Sequence, residues 1–208
     1  MATNDFTEIM LGRKSVKIYD ETVTIDHEEM LEMLNKAITA PSSVNLQPWR
    51  FVVVESAAAK AKLRPMVRFN TKQVDTASAV ILIFADIKPQ DRTEAIYDRA
   101  VAEGKMPQEV RDYQVPVIKS MYDALSPATM REVVKMDASL AAMQLMLVAR
   151  SHGYDTNPMS GFDHEEMAAT FESDPNRYIP VLMVSIGKAK EPVFDSVRIE
   201  AEKITDFK

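Results

Sequence analysis

The chain has 208 residues, of which 46% are hydrophobic and 27% charged, and its formal net charge is -6 at pH 7. This balance is typical of a soluble globular protein and disfavours global disorder. The negative charge argues against a nucleic-acid partner bound through overall positive charge, and the lack of cysteine excludes disulfides, zinc–thiolate sites, Fe–S clusters and thiol nucleophiles.

The sequence shows neither a targeting signal nor a common nucleotide-binding motif. The first ten residues carry acids where a secretion signal needs lysine or arginine, and no apolar run approaches the roughly 20 residues that cross a bilayer. We therefore expect a cytoplasmic protein without a membrane partner, in agreement with the lack of cysteine. Neither a GxGxxG nor a Walker pattern is present, which disfavours the two common nucleotide-binding folds.

Two short helices are predicted at the start of the chain. The first is capped by Thr3 or Asn4 and is followed by Gly12 as its C′ residue. The second begins at Asp26, which is the first residue of a capping box. It must end before Pro41, because proline disfavours helical geometry in the preceding residue.

Further along, apolar runs predict buried strands with helices between them. The predicted strands are 51–54, 79–85 and 178–186, and the predicted helices are 57–64, 92–103 and 130–152. Pro180 indicates an edge or an irregularity in the last strand. The 104–129 stretch contains three prolines and no strong period, so we expect an excursion or lid with short helical pieces.

The 130–152 helix is the most periodic segment. Its apolar residues form two stripes, which are Val133, Met136, Leu140, Met143 and Leu147 on one side and Val134, Ala141, Leu145 and Val148 on another. A helix that is apolar on two sides is buried on two sides, in a core or a subunit interface. The tail, 188–208, has too little apolar surface to fold alone and is expected to dock elsewhere.

A basic segment follows the first helix. Arg13, Ser15 and Lys17 alternate along it, so in an extended chain their side chains point to the same side. Arginine offers a planar fork to phosphate, serine a hydroxyl and lysine a point charge. Taken alone, the commoner interpretation of such a segment is a charged surface turn.

A polar loop bracketed by prolines, 41–49, leads into the first strand with the sequence Pro-Ser-Ser-Val-Asn-Leu-Gln-Pro-Trp. Its hydroxyls and carboxamides present donors and acceptors together, which suits the edge of a heteroaromatic ring. The alternative is a stiffened connection between helix and strand, with Trp49 in the core. Neither an HExxH zinc motif nor a GxSxG nucleophile elbow occurs in the chain.

Taken in order, these segments resemble the FMN-dependent nitroreductase family. The matching segments are 13–19, 40–51, 69–70, 77–78, 153–163 and 180–187, and they cover almost the whole chain. The 41–49 loop is the most specific of them. The chain departs from many or some family members at Lys14, where Arg or His is common, at Lys17, where Arg is common, and at Ser160, where some carry Glu.

The resemblance implies an α+β, three-layer fold in which helices surround a mixed central sheet, within a single domain over 1–208. It also implies an intertwined homodimer with two FMN sites at the subunit interface. A C-terminal extension, 188–208, would cross onto the partner. The two-sided helix and the tail both need a burial partner, which agrees with a dimer.

The same resemblance assigns FMN contacts along the chain. Arg13, Ser15 and Arg198 would hold the phosphate and ribityl chain, with Lys14 alongside. Lys17 would lie beside the pyrimidine edge, where its charge favours the reduced flavin. The remaining contacts would come from Pro41, Ser42, Ser43 and Asn45 of the other subunit, from Asn70 at the pyrimidine edge, from Gln73, and from Ser160 and Gly161 near the flavin N5.

The activity implied is hydride transfer from NADH or NADPH through FMN to nitroaromatic, quinone or similar electron-poor acceptors by a ping-pong mechanism. The flavin N5 would carry the chemistry, so no side chain is expected to act as a catalytic acid, base or nucleophile, and no metal site is expected. Dehalogenation, flavin fragmentation and enone reduction stay open as other family chemistries. So does a flavin-binding or dimeric interaction protein without turnover of its own.

Overall fold

A four-stranded antiparallel sheet forms the centre of the computed structural model, which describes residues 2–172 and 174–208. The strands in chain order are β1 (Trp49–Val54), β2 (Ala79–Asp86), β3 (Asp155–Met159) and β4 (Tyr178–Gly187). They lie in the order β1-β2-β4-β3, which makes β2 and β4 the inner strands.

Eight α-helices accompany the sheet in the described part of the chain. They are α1 (Phe6–Gly12), α2 (His27–Ala37), α3 (Ala57–Leu63), α4 (Thr71–Thr76), α5 (Thr93–Ala102), α6 (Gln108–Asp123), α7 (Pro127–Ser151) and α8 (His164–Phe171). None of the helices in residues 2–172 and 174–208 combines the length and the hydropathy that a membrane-spanning segment requires.

The side chains of β2 show why the fold has three layers. All eight residues of β2 are buried. Ile81 and Ile83 face a core that includes residues of α2 and α7, whereas Leu82 and Phe84 face a second core with residues of α3, α4 and α8. Because side chains alternate along a strand, helices on both faces require a strand that is apolar throughout. The predicted α+β class and layered arrangement are confirmed.

The sheet itself differs from the mixed sheet that the resemblance implies. All three strand pairs are antiparallel. Parallel pairing in the described chain is limited to one bridge between Ser15 and Thr156, which is too short to make a strand. Pro180 lies in an inner strand, opposite a register shift between Ile83 and Phe84. The predicted irregularity is confirmed, since a strand proline lacks the N–H that a regular ladder needs.

The predicted helix ends are confirmed in part. Asp26 caps α2 by accepting from the Glu29 N–H over 2.8 Å. Asp5, rather than Thr3 or Asn4, caps α1. Gly12 is the last residue of α1 and not its C′ residue, because the chain passes directly into an extended Arg13. An extended residue at that position does not need the left-handed conformation that favours glycine.

The 104–129 stretch does not consist of the short helical pieces that were predicted. Most of this stretch forms α6, a single helix of 16 residues with Pro116 inside it. Two of the three prolines that obscured the helix lie at helix ends, since Pro107 is the N-cap of α6 and Pro127 is the first residue of α7. The sequence analysis also missed β3 and α4, which are only five and six residues long.

The two predicted stripes of α7 differ in burial. Val134, Ala141 and Leu145 are buried under the sheet. On the other stripe, Met136 and Leu140 have 60% and 48% of their surface exposed within the single chain. The tail beyond residue 190 is exposed throughout. One apolar side of α7 therefore faces outward.

A close approach at the end of β4 gives a test of the packing. A Cβ on Gly187 would lie 2.9 Å from Tyr19 Cδ1 and 3.2 Å from the Ser78 backbone nitrogen. Tyr19 is fully buried and cannot move away easily. Gly187→Ala is expected to lower the free energy of unfolding by about 1–3 kcal/mol, measured by chemical denaturation at fixed protein concentration.

Gly12→Ala is the matched control, because its Cβ would only touch the Arg150 side chain at 3.4 Å in a helical position. We expect it to leave stability unchanged or to raise it slightly. Equal effects of the two substitutions would contradict the packing described at Gly187.

Candidate functional site

The basic segment after α1 is extended and pairs with β3. Ser15 and Thr156 form a parallel bridge, and the Val16 N–H donates to the Thr156 carbonyl over 3.1 Å. Val16 is buried, whereas Ser15 and Lys17 are exposed. The predicted alternation is therefore present, with the polar side chains on the open side of the segment.

Four of the predicted site residues line one cavity. Arg13, Lys14, Ser15 and Arg198 surround a volume of about 460 Å³. Arg13 lines this cavity, and its Nη1 atom is itself buried and has no hydrogen-bond partner among the described residues. A buried N–H without an acceptor costs free energy, and more so when it carries charge. The three cations and the hydroxyl that line this cavity favour a ligand with anionic oxygens.

The tail forms the other wall of this cavity. Lys14 makes an ion pair with Asp195, and this lysine holds the pKa of the Asp195 carboxyl below its usual range. Arg198 donates to Ser196 Oγ over 2.7 Å and to the Val197 carbonyl over 2.8 Å. The tail thus lies against the basic segment of its own chain. Arg13 is the cation of this group that has a buried donor without a partner among the described residues.

Lys17 lies in an adjoining cavity of about 350 Å³, between residues 15–18 and 191–194. Ser15 and Phe194 line both cavities. The two spaces are therefore neighbours, and Lys17 is placed further along the segment from Arg13. A ligand whose anionic end reaches Arg13 can extend past Ser15 toward Lys17.

Asn70, Gln73 and Gly161 form a second group of predicted site residues. Gln73 is buried and donates through Nε2 to Asn70 Oδ1 over 3.0 Å. Asn70 Nδ2 lies 3.8 Å from the position a Cβ on Gly161 would take. Ser160 directly follows β3, the strand that pairs with Ser15. These residues and the basic segment together form what we call the cradle: residues 13–17, 70–73, 160–161 and 198.

Part of the polar loop, residues 44–47, has an unusual backbone. Val44, Asn45 and Gln47 have φ values of 41°, 57° and 49°, in the left-handed region that non-glycine residues rarely adopt. Inside the loop, the Gln47 N–H donates to Ser42 Oγ over 3.0 Å. Trp49 is buried, as expected for the start of a core strand.

Three side chains outside the loop hold it in place. The Ser43 N–H donates to both carboxylate oxygens of Asp137, over 3.1 and 3.2 Å. Tyr97 donates to the Val44 carbonyl over 3.2 Å, and Arg92 donates to the Gln47 carbonyl over 3.1 Å. The loop is thus anchored to α5, α7 and the turn before α5.

The loop and the cradle lie at different ends of α7. Asp137 contacts the loop, whereas the Arg150 guanidinium lies 3.4 Å from the position of a Cβ on Gly12, next to the cradle. At about 1.5 Å per residue, these two positions are roughly 20 Å apart along the helix axis. One chain therefore does not bring Pro41, Ser42, Ser43 and Asn45 against its own Arg13.

The loop anchors were not found from the sequence. Asp137 carried a usable signal, because it is an acid on the buried stripe of α7, three residues after Val134 and four before Ala141. Tyr97 and Arg92 carried no such signal, because nothing in the local sequence distinguishes either residue from its neighbours. Asp195 was missed because its partner, Lys14, is 181 residues away.

The fold and the cradle define an α+β protein built to hold an anionic ligand at a basic segment. The chain belongs to the Nitroreductase family, whose sequence profile matches residues 10–188. This confirms the predicted family.

Individual relatives cover the whole chain. YdgI of Bacillus subtilis, named as an NAD(P)H nitroreductase, is 50% identical over 206 residues, which is 99% of both chains. The CLA biosynthesis enone reductase of Lactiplantibacillus plantarum is 38% identical over 208 residues, covering 100% of this chain and 96% of that one. A nitroreductase from Exiguobacterium sibiricum, solved in complex with FMN, is 48% identical with a TM-score of 0.96, over 100% of this chain and 99% of that one.

Proposed function

We propose that this protein is an FMN-dependent oxidoreductase that takes reducing equivalents from NADH or NADPH and passes them to electron-poor organic acceptors. The observation that carries the proposal is one cavity lined by the cations Arg13, Lys14 and Arg198 and by Ser15. Arg13 also has a buried donor without a partner among the described residues. The FMN complex of the Exiguobacterium sibiricum relative supports the choice of ligand.

The residues present fit this cofactor. A phosphate supplies the acceptor that the Arg13 guanidinium lacks, and the hydroxyl of Ser15 lies in the same cavity. The adjoining cavity at Lys17 gives the remainder of the molecule a path. Asn70 offers a carboxamide to the pyrimidine edge, and Gln73 fixes it by donating to its oxygen. Ser160 and Gly161 would complete the cradle on the side of the flavin N5.

When bound, FMN supplies an N5 atom that accepts hydride from the nicotinamide and returns it to the acceptor. The chain's own residues bind and orient. Arg13, with Arg198, holds the anionic end. Lys17 places a positive charge where the reduced ring becomes negative, which favours reduction by Coulomb attraction. We propose that all of this is done by one domain over 1–208.

We propose a homodimer in which the loop of one chain, through Pro41, Ser42, Ser43 and Asn45, completes the cradle of the other. Two features support it. The loop and the cradle are roughly 20 Å apart along α7 in a single chain, and Met136, Leu140 and Met143 leave an apolar stripe of α7 exposed between them. Burying that stripe against a second copy stabilises the pair and brings each loop toward the other chain's cradle.

The donor and the acceptor are proposed to use the same position in turn. The sequence has no dinucleotide fingerprint, so NADH or NADPH has no domain of its own. The donor then binds over the open face of the flavin and leaves before the acceptor binds, which is a ping-pong order. Nitroaromatics and quinones are the first acceptor class to test, and the 38% identity with an enone reductase makes α,β-unsaturated ketones the second.

The first test uses the purified protein under anaerobic conditions. We expect it to be yellow, to bleach on addition of NADH or NADPH, and to regain its colour with a nitroaromatic, a quinone or an enone. Stopped-flow absorbance at the flavin band gives both half-reactions. Double-reciprocal plots at several acceptor concentrations are expected to be parallel.

Three other results of this test would contradict parts of the proposal. Intersecting lines would contradict the ping-pong order. A yellow protein that does not bleach would favour a flavin-binding protein without turnover, and a colourless protein with no affinity for FMN would refute the proposal.

The roles of Arg13 and Lys17 can be separated. Arg13→Ala should weaken FMN binding by about 10- to 100-fold, as expected for losing a charge-assisted hydrogen bond of about 1.5–3 kcal/mol. Lys17→Ala should lower the reduction potential of the bound flavin, or slow its reduction, with a smaller effect on affinity. Flavin fluorescence quenching measures the first effect and spectroelectrochemistry the second.

Lys62→Ala, on the exposed surface of α3, is the control and should change neither quantity. If Arg13→Ala binds FMN as tightly as the unchanged protein, then the phosphate does not lie in the cavity at Arg13.

The dimer is tested at Leu140, the middle residue of the exposed stripe. Leu140→Glu places a charge in a surface that the proposal buries, so we expect monomers in analytical ultracentrifugation and loss of tight FMN binding. Lys62→Glu adds the same side chain on α3 and should leave the dimer intact. A Leu140→Glu protein that stays dimeric would exclude this face of α7 as the interface.

A further inference from the structure

The polar loop holds a conformation that its own sequence does not favour. Val44, Asn45 and Gln47 are all left-handed, and Val44 is β-branched, the least tolerant kind of side chain for that region. Asparagine tolerates it best of the three. Such strain persists only where surrounding contacts determine the conformation. The contacts to the loop therefore decide whether its hydroxyls and carboxamides keep their positions.

Of the three side chains that hold the loop, Asp137 is the one with a carboxylate. Both of its oxygens accept from the Ser43 N–H, at 3.1 and 3.2 Å. Ser43 directly precedes Val44, so this bond fixes the backbone at the entrance to the strained turn. A hydrogen bond to an ionised acceptor is stronger than one between neutral groups, and α7 is a rigid element on which to mount it.

Asp137 is costly where it lies. It is 7% exposed, on the buried stripe of α7, and makes no ion pair within residues 2–172 and 174–208. Burial raises the pKa of its carboxyl, although the Ser43 N–H opposes that rise. Burial also raises the pKa of the nearby Tyr122 hydroxyl, an effect that the Ser43 side chain opposes and the Asp137 charge adds to. Helix packing alone would be served better by an apolar side chain.

We infer that Asp137 is a positioning residue for the flavin site: it holds the Ser43 amide, and with it the strained turn that presents Ser42 and Asn45 to the flavin ring of the other chain. This inference rests on the proposed function, because the loop's ligand there is FMN. Asp137 touches neither the cofactor nor the acceptor. Its effect is to keep the loop in one conformation before FMN binds, which lowers the ordering cost of binding.

The inference predicts that one substitution weakens FMN binding without lowering the stability of the fold. In Asp137→Ala, the Ser43 amide loses its acceptor and the turn relaxes, so FMN should bind about 10-fold more weakly. Amide exchange at Ser43 and Val44 should become faster in the flavin-free protein. The unfolding temperature should stay the same or rise, because a buried carboxylate is removed.

Asp137→Asn is the conservative variant. Its carboxamide oxygen can still accept from the Ser43 N–H, so it should restore most of the amide protection and of the FMN affinity that Asp137→Ala loses. Glu132→Ala, at an exposed position on the same helix, is the control and should change nothing.

Hydrogen exchange followed by mass spectrometry or NMR, FMN titration and thermal unfolding should be run on all four proteins. Unchanged Ser43 exchange and unchanged FMN affinity in Asp137→Ala would overturn the inference. So would a loss of affinity in Asp137→Asn that comes with a lower unfolding temperature and unaltered Ser43 exchange, since that pattern marks a merely structural role. If the unchanged protein itself binds no FMN, the proposed function fails, while the exchange data still decide whether Asp137 holds the loop.

Discussion

The length of α7 is the constraint on which the site depends. Its 25 residues keep the anchor of the polar loop and the neighbour of the basic segment roughly 20 Å apart along one axis. Neither group is a complete site. The loop offers hydroxyls and carboxamides without a cation, and the cradle offers cations with little on the opposite side of the ring. In the dimer that we propose, a second copy packed on the exposed stripe supplies what each group lacks, so dimer formation and cofactor binding would be coupled.

Much of the fold could be predicted, because strong local signals and tertiary packing agree there. The apolar run of β2 reflects burial on both faces of the sheet, and one of the two apolar stripes of α7 is buried under the sheet while the other is exposed in the single chain. Within the described residues the sheet is antiparallel and not mixed, a difference that no local sequence pattern reveals. In α6, Pro116 hid a helix that its packing stabilises, and β3 was missed because five residues containing a proline carry no periodic pattern.

The candidate site was likewise predicted only in part. The positions in the cradle and the loop could be proposed because their residue types follow one another in family order along the chain. The structure adds what holds them, namely Asp137 and Tyr97 on the loop and Asp195 on Lys14. These partners lie 53 to 181 residues away from the groups they contact. No local pattern specifies such pairs, because only the folded chain brings them together.

A crystal structure of the purified protein as isolated tests the central claim most directly. The account predicts a dimer in which the flavin phosphate accepts from Arg13 of one chain at about 3 Å, while residues 42–45 of the other chain lie against the flavin ring. A flavin held entirely by one chain, or an Arg13 guanidinium paired with a protein carboxylate and distant from any phosphate, would contradict it.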